Sequence, residues 1–439
     1  MKRVFGLVLA LVACTACSRA DDRTEIVVQR FFGECGALYA ENTDISEAEG
    51  ECGILTSLIN KFEVEHPEID LRVNVVAWPG YPQLTAQIAA GDPPDIVTMH
   101  QSVISDYQGR GLLRPVDDLL AQNGISSQDF TAAGQGGVVK NGQTYGLAWD
   151  TVGRLMHVNT NLMEEAGLMQ DGLPIMPTSP EELLAHARQF RERTGKPYLI
   201  QAQLNSPDTH VGNLYTYLLA QDETIFPDER HVDLDTPRAR EIVDLFRELN
   251  TEGLTTRDQD FPAATNAFMN GEGGMFPTGT WMIGPYVDAS PDPASPLHDA
   301  YTVVPFPNLW GRDAAFVDGH AWVVPKAQRS PDEERAIATF LAFLARNNFE
   351  WTRTGHLPSI AAVLDRREFS ALPHRANIAR MAATGRQLPA YVQRQSAIQG
   401  LIGEEIEAAV NDRAPTGQAL REAERRVNQL LEQLPANSN

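Results

Sequence analysis

The chain has 439 residues, of which 43% are hydrophobic and 21% are charged, a composition typical of a soluble globular protein. The length exceeds what a single simple core supports, so we expect two domains. A formal net charge of -22 argues against nucleic acid and anionic membrane surfaces as partners, because their phosphates require clustered Lys and Arg.

The N-terminus is predicted to be a targeting segment. A basic pair precedes the apolar run 4–13, which is too short to span a bilayer. We therefore expect residues 1–20 to be a signal or lipoprotein peptide that directs the chain to the periplasm or cell envelope. The stretch ending in Cys14 resembles a bacterial lipobox, and Cys17 is a second candidate for lipidation. A lipid anchor at one of these cysteines is favoured, while ordinary cleavage at 18–20 stays open.

Export changes how the remaining two cysteines are interpreted. Cys35 and Cys52 would lie in an oxidising compartment, so a disulfide between them is the leading interpretation. The bond would tie the polar insert 39–50 to the mouth of the first predicted strand. It should stabilise the fold by about 3 kcal/mol, mainly by restricting the unfolded chain.

Predicted strands and helices alternate through the first hundred residues, which is typical of a parallel α/β sheet. The predicted elements are strand 25–30, helix 55–66, strand 69–77, helix 82–90 and strand 95–99. An aromatic loop over 78–81 precedes the second helix. The last strand is followed by His100, Gln101 and Ser102, and polar side chains at the carboxyl end of a parallel strand are where open α/β sheets bind ligands.

The rest of the chain continues the mixed pattern. A hairpin-like Asn-Gly turn at 141–142 is followed by an extended run, and Ser179 with Pro180 begins a helix. The further predicted elements are strand 197–203, loop 205–210, helix 211–220, helix 237–250, strand 274–276, strand 318–324, helix 330–345 and a helical tail over 401–434.

Two sequence motifs make a family recognisable. The stretch AQIAAGDPPDIV at 86–97 resembles the first lobe of the extracellular solute-binding proteins of ABC importers, in particular the sugar-binding, maltose-binding-protein-like family 1. The stretch AFMNGEGGM at 267–275, with GTW at 279–281, resembles a later motif of that family. Segments 150–159 and 355–358 also match, so the resemblance spans nearly the whole mature chain.

The resemblance implies an α/β fold of the two-lobed periplasmic-binding-protein type, type II-like, with non-contiguous lobes joined by hinge crossovers. The implied first lobe is 24–147 plus 302–347, and the second is 148–300 plus 348–435. The return crossing is expected over 301–306. Ligand would lie between the lobes and be enclosed by hinge closure.

Catalytic motifs are absent from the sequence. It contains no GxSxG elbow, no HExxH and no Walker A loop, and its Gly-rich stretches at 134–137 and 271–274 lack the GxGxxG spacing. The ten histidines show no zinc-ligand spacing. We therefore expect a binding protein rather than an enzyme, with no cofactor and no metal.

Candidate ligand contacts are aromatic and polar side chains in the loops at strand ends. Sugars present apolar faces for stacking and hydroxyls for hydrogen bonds, so their sites combine flat aromatics with planar polar groups. The stacking candidates are Trp78, Tyr81 and Trp281. The polar candidates are Glu34, His100, Gln101 and Asp150. Each could instead have a structural role, as a core, cap or surface residue.

The resemblance adds roles to some of these residues. Trp281, with Thr280 beside it, matches the stacking tryptophan of the second lobe, and Asp150 lies at the crossing where a carboxylate meets ligand hydroxyls. Gly319 and His320 lie where a glycine turn approaches the ligand. Met99 stands about where the maltose-binding type has a tryptophan, which argues against maltose itself.

The predicted function is the substrate-binding component of an ABC importer. A monomer would capture a mono- or oligosaccharide and deliver it to the permease subunits. Alternatives are the same fold binding a glycerol phosphate, polyamine or peptide, or an exported carbohydrate-active enzyme. A phosphate ligand would require Arg or Lys in the cleft, and the candidate loops are poor in both.

Overall fold

The computed structural model describes residues 23–379, 381–389 and 391–434. The predicted signal peptide and its candidate lipidation sites Cys14 and Cys17 lie outside the described residues. Within the described ranges, no helix combines the length and apolar character that crossing a membrane requires.

Fifteen strands are distributed over the described chain. In chain order they are β1 Thr24–Arg30, β2 Ile69–Val75, β3 Ile96–His100, β4 Val139–Lys140, β5 Gln143–Thr144, β6 Leu147–Ala148, β7 Asp150–Asn159, β8 Met169–Gln170, β9 Leu173–Pro174, β10 Met275–Gly279, β11 Tyr301–Val304, β12 Ala315–Asp318, β13 His320–Val323, β14 Leu357–Pro358 and β15 Gly385–Arg386.

Helices cover more of the described residues than strands do. The α-helices are α1 Gly50–Glu65, α2 Tyr81–Ala90, α3 Gln101–Gly109, α4 Asp117–Ala121, α5 Ala132–Val138, α6 Thr160–Glu165, α7 Pro180–Thr194, α8 Pro207–Ala220, α9 Pro237–Thr251, α10 Phe261–Met269, α11 Ile283–Ala289, α12 Pro331–Arg346, α13 Asn348–Trp351, α14 Ala361–Leu364, α15 Arg367–Ala371, α16 Arg375–Ile378, α17 Met381–Thr384, α18 Gln395–Val410 and α19 Thr416–Glu432. Short 3-10 turns are Gly36–Tyr39, Ile45–Glu47, Ser127–Asp129, Thr280–Met282 and Thr352–Thr354.

The first sheet has the strand order β2-β1-β3-β13-β6. Strands β1, β2 and β3 are parallel, as the alternation of strands and helices predicts, while β13 runs antiparallel to β3 and to β6. The apolar residues of β1 and β3 are buried against helices α1 and α12 in one core, which includes Ile26, Val28, Ile96, Leu58 and Phe340.

The second sheet is built around the ten-residue strand β7, which pairs antiparallel with β10, β11, β12 and β14. A large core that includes helices α7, α8, α9, α18 and α19 lies beside this sheet, and a smaller one around α10 and α11 completes this half. The chain leaves the first sheet at Ala148, enters the second at Asp150, and returns between Asp318 and His320.

Strand pairing modifies the partition expected from the sequence. The segment 302–347 was assigned to the first lobe, but β11 and β12 pair with β7 of the second sheet. The return to the first sheet therefore comes at Gly319 rather than over 301–306. The physical reason is that β11 and β12 complete the hydrogen bonding of β7, a partner more than 140 positions away that local patterns do not reveal.

Two local predictions also differ from the structure. Residues 197–203 form no extended strand and make only isolated bridges at Leu199. The predicted loop at 205–210 is the start of helix α8, which begins at Pro207. Proline lacks an N–H but is accommodated in the first helical turn, where that N–H has no intrahelical partner, so Pro207 opens this helix.

Candidate ligand-binding site

An open cleft with a cavity volume of about 210 Å3 lies between elements of the two sheets. From the first half it is lined by Trp78, Pro79, Tyr81, His100, Ser102 and Val103. From the second half its lining includes Gly153, Arg154, Asp208, Trp281, Phe316 and Asp318. The predicted residues Trp78, Tyr81, His100 and Trp281 are therefore brought to one cleft.

The two tryptophans reach the cleft from opposite halves. Trp78 lies in the loop between β2 and α2 and is 69% exposed, which is unusual for so large an apolar side chain. Trp281 lies on the 3-10 turn after β10 and is partly buried. Its ring folds back over Gly279, where a Cβ would lie 2.0 Å from a ring atom, so the glycine of the GTW motif permits this position.

His100 and Tyr81 form a polar pair on the first-half wall. The Tyr81 hydroxyl accepts the main-chain N–H of His100 at 2.9 Å and is hydrogen-bonded to its Nδ1 at 2.6 Å. Phe31 stacks on the imidazole with the ring centroids 5.3 Å apart. Burial, aided by the charge on His320, lowers the pKa of His100 to about 3. The ring is therefore neutral at physiological pH, with one nitrogen a hydrogen-bond donor and the other an acceptor.

Asp150 lies beneath the cleft, at the crossing into β7, and is completely buried. Its carboxylate accepts from the His320 main-chain N at 2.8 Å, from His320 Nδ1 at 2.9 Å and from Trp351 Nε1 at 2.6 Å. Burial opposes its ionisation, but the charges of His320 and His356 and these hydrogen bonds outweigh burial and lower the pKa of Asp150. Asp150 in turn raises the pKa of His320, against the effect of burial.

Gln101 connects the outgoing and returning crossings. Its Nε2 donates to the main-chain oxygens of Asp150 and His320, each at 3.1 Å, and its main-chain N donates to the Gly319 oxygen at 2.8 Å. Its Oε1 accepts from Gln387 Nε2 at 2.7 Å. Gln101, Asp150, Gly319 and His320 thus form a hydrogen-bonded hinge cluster below the cleft rather than its lining.

The remaining predicted site residues lie elsewhere. Glu34 is exposed in the loop after β1, and Thr280 is completely buried behind Trp281. Neither is among the residues that line the cleft. The predicted disulfide is confirmed, because Cys35 and Cys52 are bonded with their Cα atoms 5.8 Å apart.

Three charged residues of the cleft, Arg154, Asp208 and Asp318, were missed by the sequence interpretation. Asp318 ends β12 and accepts from Ser102 Oγ at 2.6 Å, Ser102 N at 3.0 Å and Gly319 N at 2.8 Å. Burial raises the pKa of Asp318, although these hydrogen bonds oppose the shift. Arg154 on β7 is mostly buried, donates to the Pro277 oxygen at 2.6 Å and lies 3.9 Å from Asp208. The available signal for Arg154 was its position directly after the glycine of the family-matched segment 150–159.

Residues 57–377 match the bacterial extracellular solute-binding proteins, and the chain belongs to that family. No curated protein sequence matches the chain. The chain is also similar in structure to the GacH receptor of Streptomyces glaucescens, solved unliganded and with acarbose, at 17% identity and a TM-score of 0.75 over 94% of this chain and 100% of that one.

Two further solved structures are similar at the same level. The sugar-binding protein MalE of Xanthomonas citri matches at 17% identity and a TM-score of 0.75, covering 93% of this chain and 98% of that one. Maltose-bound MalE3 of T. maritima matches at 17% identity and a TM-score of 0.74, covering 93% and 100%. These likenesses confirm the predicted two-lobed fold.

Proposed function

We propose that the protein captures a mono- or oligosaccharide in the cleft and delivers it to the permease subunits of an ABC importer. The observation that carries the proposal is the meeting of Trp78 and Trp281 from opposite halves at one cleft, whose lining also includes the polar side chains of His100 and Asp318. Aromatic faces stack on the apolar faces of sugar rings, and neutral donors with carboxylate acceptors match their hydroxyls.

Closure of the two halves on the ligand follows from this arrangement. A ligand shifts an open–closed equilibrium only if it contacts the closed form better than the open form. A sugar that contacts both Trp78 and Trp281 bridges the two halves, so it would stabilise the closed form more than the open form. The hinge cluster of Gln101, Asp150, Gly319 and His320 lies where the chain crosses, so it is the part that must accommodate the motion.

The proposal also covers the cellular location, the oligomeric state and the membrane anchoring of the protein. The family is extracellular. We place this member in the periplasm or cell envelope, as a monomer held by a lipid on Cys14 or Cys17. Mass spectrometry of the mature N-terminus tests the anchor, since a diacylated or triacylated cysteine supports it and an unmodified N-terminus contradicts it.

A ligand panel tests the sugar proposal. Purified protein should show a raised Tm with at least one mono- or oligosaccharide, because a ligand at 100 times its Kd stabilises the folded state by about 2.7 kcal/mol. The panel should include glycerol 3-phosphate, spermidine and a tripeptide. A rise in Tm with one of these, and with no sugar, would replace the sugar by that solute, and recovery of an altered sugar would indicate an enzyme.

A tryptophan substitution tests the cleft itself. We expect Trp281→Ala to weaken sugar binding at least about tenfold, since an aromatic contact contributes roughly 1.5 kcal/mol beyond ordinary burial. Trp310→Ala is the matched control, because Trp310 is also partly buried but bonds Glu241 at 3.1 Å outside the cleft. Calorimetric affinities that are equal for both variants would remove Trp281 from the site.

The second candidate ligand for the cleft is an acidic solute. Arg154 lines the cleft, although the sequence interpretation found the candidate loops poor in basic residues. Its guanidinium already donates to the Pro277 oxygen, and Asp208 and Asp318 line the same cleft. This balance favours an uncharged solute. A panel containing glucuronate beside glucose separates the two, because only an acidic ligand should lose affinity in Arg154→Gln while glucose binding persists.

A further inference from the structure

His356 presents an unused ring nitrogen at the hinge. The residue is completely buried and lies two positions after the 3-10 turn Thr352–Thr354. The Thr354 hydroxyl donates to the Trp351 oxygen at 2.6 Å, so it must accept from His356 Nδ1, which lies 2.6 Å away. Nδ1 therefore carries the proton and Nε2 carries the lone pair. Among the described residues, this buried Nε2 has no hydrogen-bond partner.

His320 is oriented in the same sense. Its Nδ1 donates to both oxygens of Asp150, at 3.0 and 2.9 Å, and these are the ring's hydrogen bonds within the described part of the chain. A carboxylate that holds Nδ1 leaves Nε2 available, and this is the arrangement that orients metal-binding histidines in proteins. The centroids of the His320 and His356 rings are 5.8 Å apart. Two imidazoles on one tetrahedral zinc ion place their centroids about 5–6 Å apart.

Glu51 completes the set from the first half of the fold. It lies in the first turn of α1, beside the disulfide-bonded Cys52. Its Oε1 is 3.3 Å from His356 Nε2, and no hydrogen bond joins them. A metal cation can lie between these two atoms, as can a proton on Glu51, because burial raises the pKa of that carboxyl to about 7. Two ligands of a tetrahedral zinc ion, at bond lengths of about 2.0–2.1 Å, are themselves about 3.4 Å apart.

We propose that His320, His356 and Glu51 bind one divalent transition-metal ion of the zinc type, with Asp150 as the carboxylate that orients His320. One ligand atom from each of Asp150, His320 and His356 lies within 4.8 Å of the others, and Glu51 joins this group through its 3.3 Å approach to His356. Imidazole and carboxylate ligands suit zinc and cobalt, and binding releases any proton held on Nε2 of either ring.

The position of the site indicates how an ion would reach it and which segments the ion would connect. Glu51 and Thr354 line a cavity of about 480 Å3 that Trp281 also borders, so an ion in this cavity would meet Glu51 first. The ion would join α1 to the return crossing at His320 and to the segment around His356. Glu51 is 269 positions from His320, and His356 is 36 positions beyond it, so no compact sequence motif reveals the site.

Metal titration tests the proposal directly. Full-length mature protein is dialysed against EDTA and titrated with Zn2+ by calorimetry and with Co2+ by visible absorption. We expect one equivalent of each, with a tetrahedral-type cobalt band. His356→Gln and Glu51→Gln should each weaken zinc binding by more than the about 10- to 100-fold loss typical of an outer-shell partner. His231→Gln is the matched control, since that histidine is exposed and pairs with Asp233.

The outcomes separate cleanly. Equal zinc affinity in wild type, Glu51→Gln and His231→Gln overturns the proposal, as does a wild-type protein that binds no zinc. If His356→Gln fails to fold, Glu51→Gln decides, because Glu51 has a side chain 35% exposed at the edge of the cavity. Sugar binding plays no part in this readout, so the result is independent of the proposed function.

Discussion

Adding one methyl group at Gly319 should disrupt the hinge cluster. A Cβ at this position would lie 2.2 Å from the Asp150 main-chain oxygen and 2.7 Å from Gln101 Nε2, whereas ordinary contact begins at 3.4 Å. The first neighbour is backbone and cannot rotate away. Gln101 cannot yield easily either, because its amide bonds both crossings. The gap between the crossings must therefore open by about 1.2 Å at the oxygen.

The cost can be estimated from these contacts. Overpacking a tight site costs about 1–3 kcal/mol. Opening the gap also weakens three hydrogen bonds, from Gln101 N to Gly319 and from Gln101 Nε2 to Asp150 and His320, each worth about 1 kcal/mol. We expect Gly319→Ala to lower the free energy of unfolding by about 2–5 kcal/mol.

Urea unfolding without ligand, followed by circular dichroism, measures this loss. Gly400→Ala is the matched control, since a Cβ there meets nothing within 4 Å and the residue lies inside helix α18. That variant should instead gain about 0.5–1 kcal/mol from helix propensity. A Gly319→Ala protein within about 1 kcal/mol of wild type would refute the steric reasoning.

Three further changes probe other parts of the fold. Burial lowers the pKa of His157 to about 3, whereas in the unfolded chain this residue takes up a proton below about pH 6.5, so the free energy of unfolding should fall by about 2 kcal/mol on this account between pH 7 and 5. In urea melts at the two pH values, His157→Gln should therefore lose about 2 kcal/mol less stability than wild type. An equal loss in both proteins would contradict this. Serine at both Cys35 and Cys52, which are separated by 17 positions, should lower stability by about 3 kcal/mol, and a reduced wild type with unchanged Tm would argue otherwise. Arg329, with a side chain 2% exposed, bonds Asp95 at 2.6 Å; Arg329→Ala should cost about 3 kcal/mol in urea, and a loss under about 1 kcal/mol would show the pair to be dispensable.

The first half of the fold was predictable because its signals are local. Strands and helices alternate within a few tens of residues, and Pro93 with Pro94 separates α2 from β3. The motif aspartate also has a physical role, since Asp95 accepts from Val27 N at 2.8 Å and so joins β3 to β1. The return crossing was misplaced because β11 and β12 are defined by pairing with the distant strand β7.

Part of the candidate site could likewise be predicted from the sequence and part could not. Loops at strand ends are visible in a sequence, so Trp78, Tyr81, His100 and Trp281 were found and lie together at the cleft. How deeply a side chain will be buried cannot be seen in a sequence. Asp150 contacts His320 across 170 positions, and the saturation of its carboxylate by His320 and Trp351 follows only from the tertiary structure.

Because β13 pairs between β3 and β6, the first sheet can be completed only after most of the chain is available. In the proposed export of the chain these two strands cross the membrane early, yet the strand that joins them follows only after every strand from β7 to β12. Until then β3 has an unpaired edge, and such edges invite association with other chains. The N-terminal segment on its own is consequently a poor candidate for independent expression, and chaperone protection should matter most until β13 has been exported.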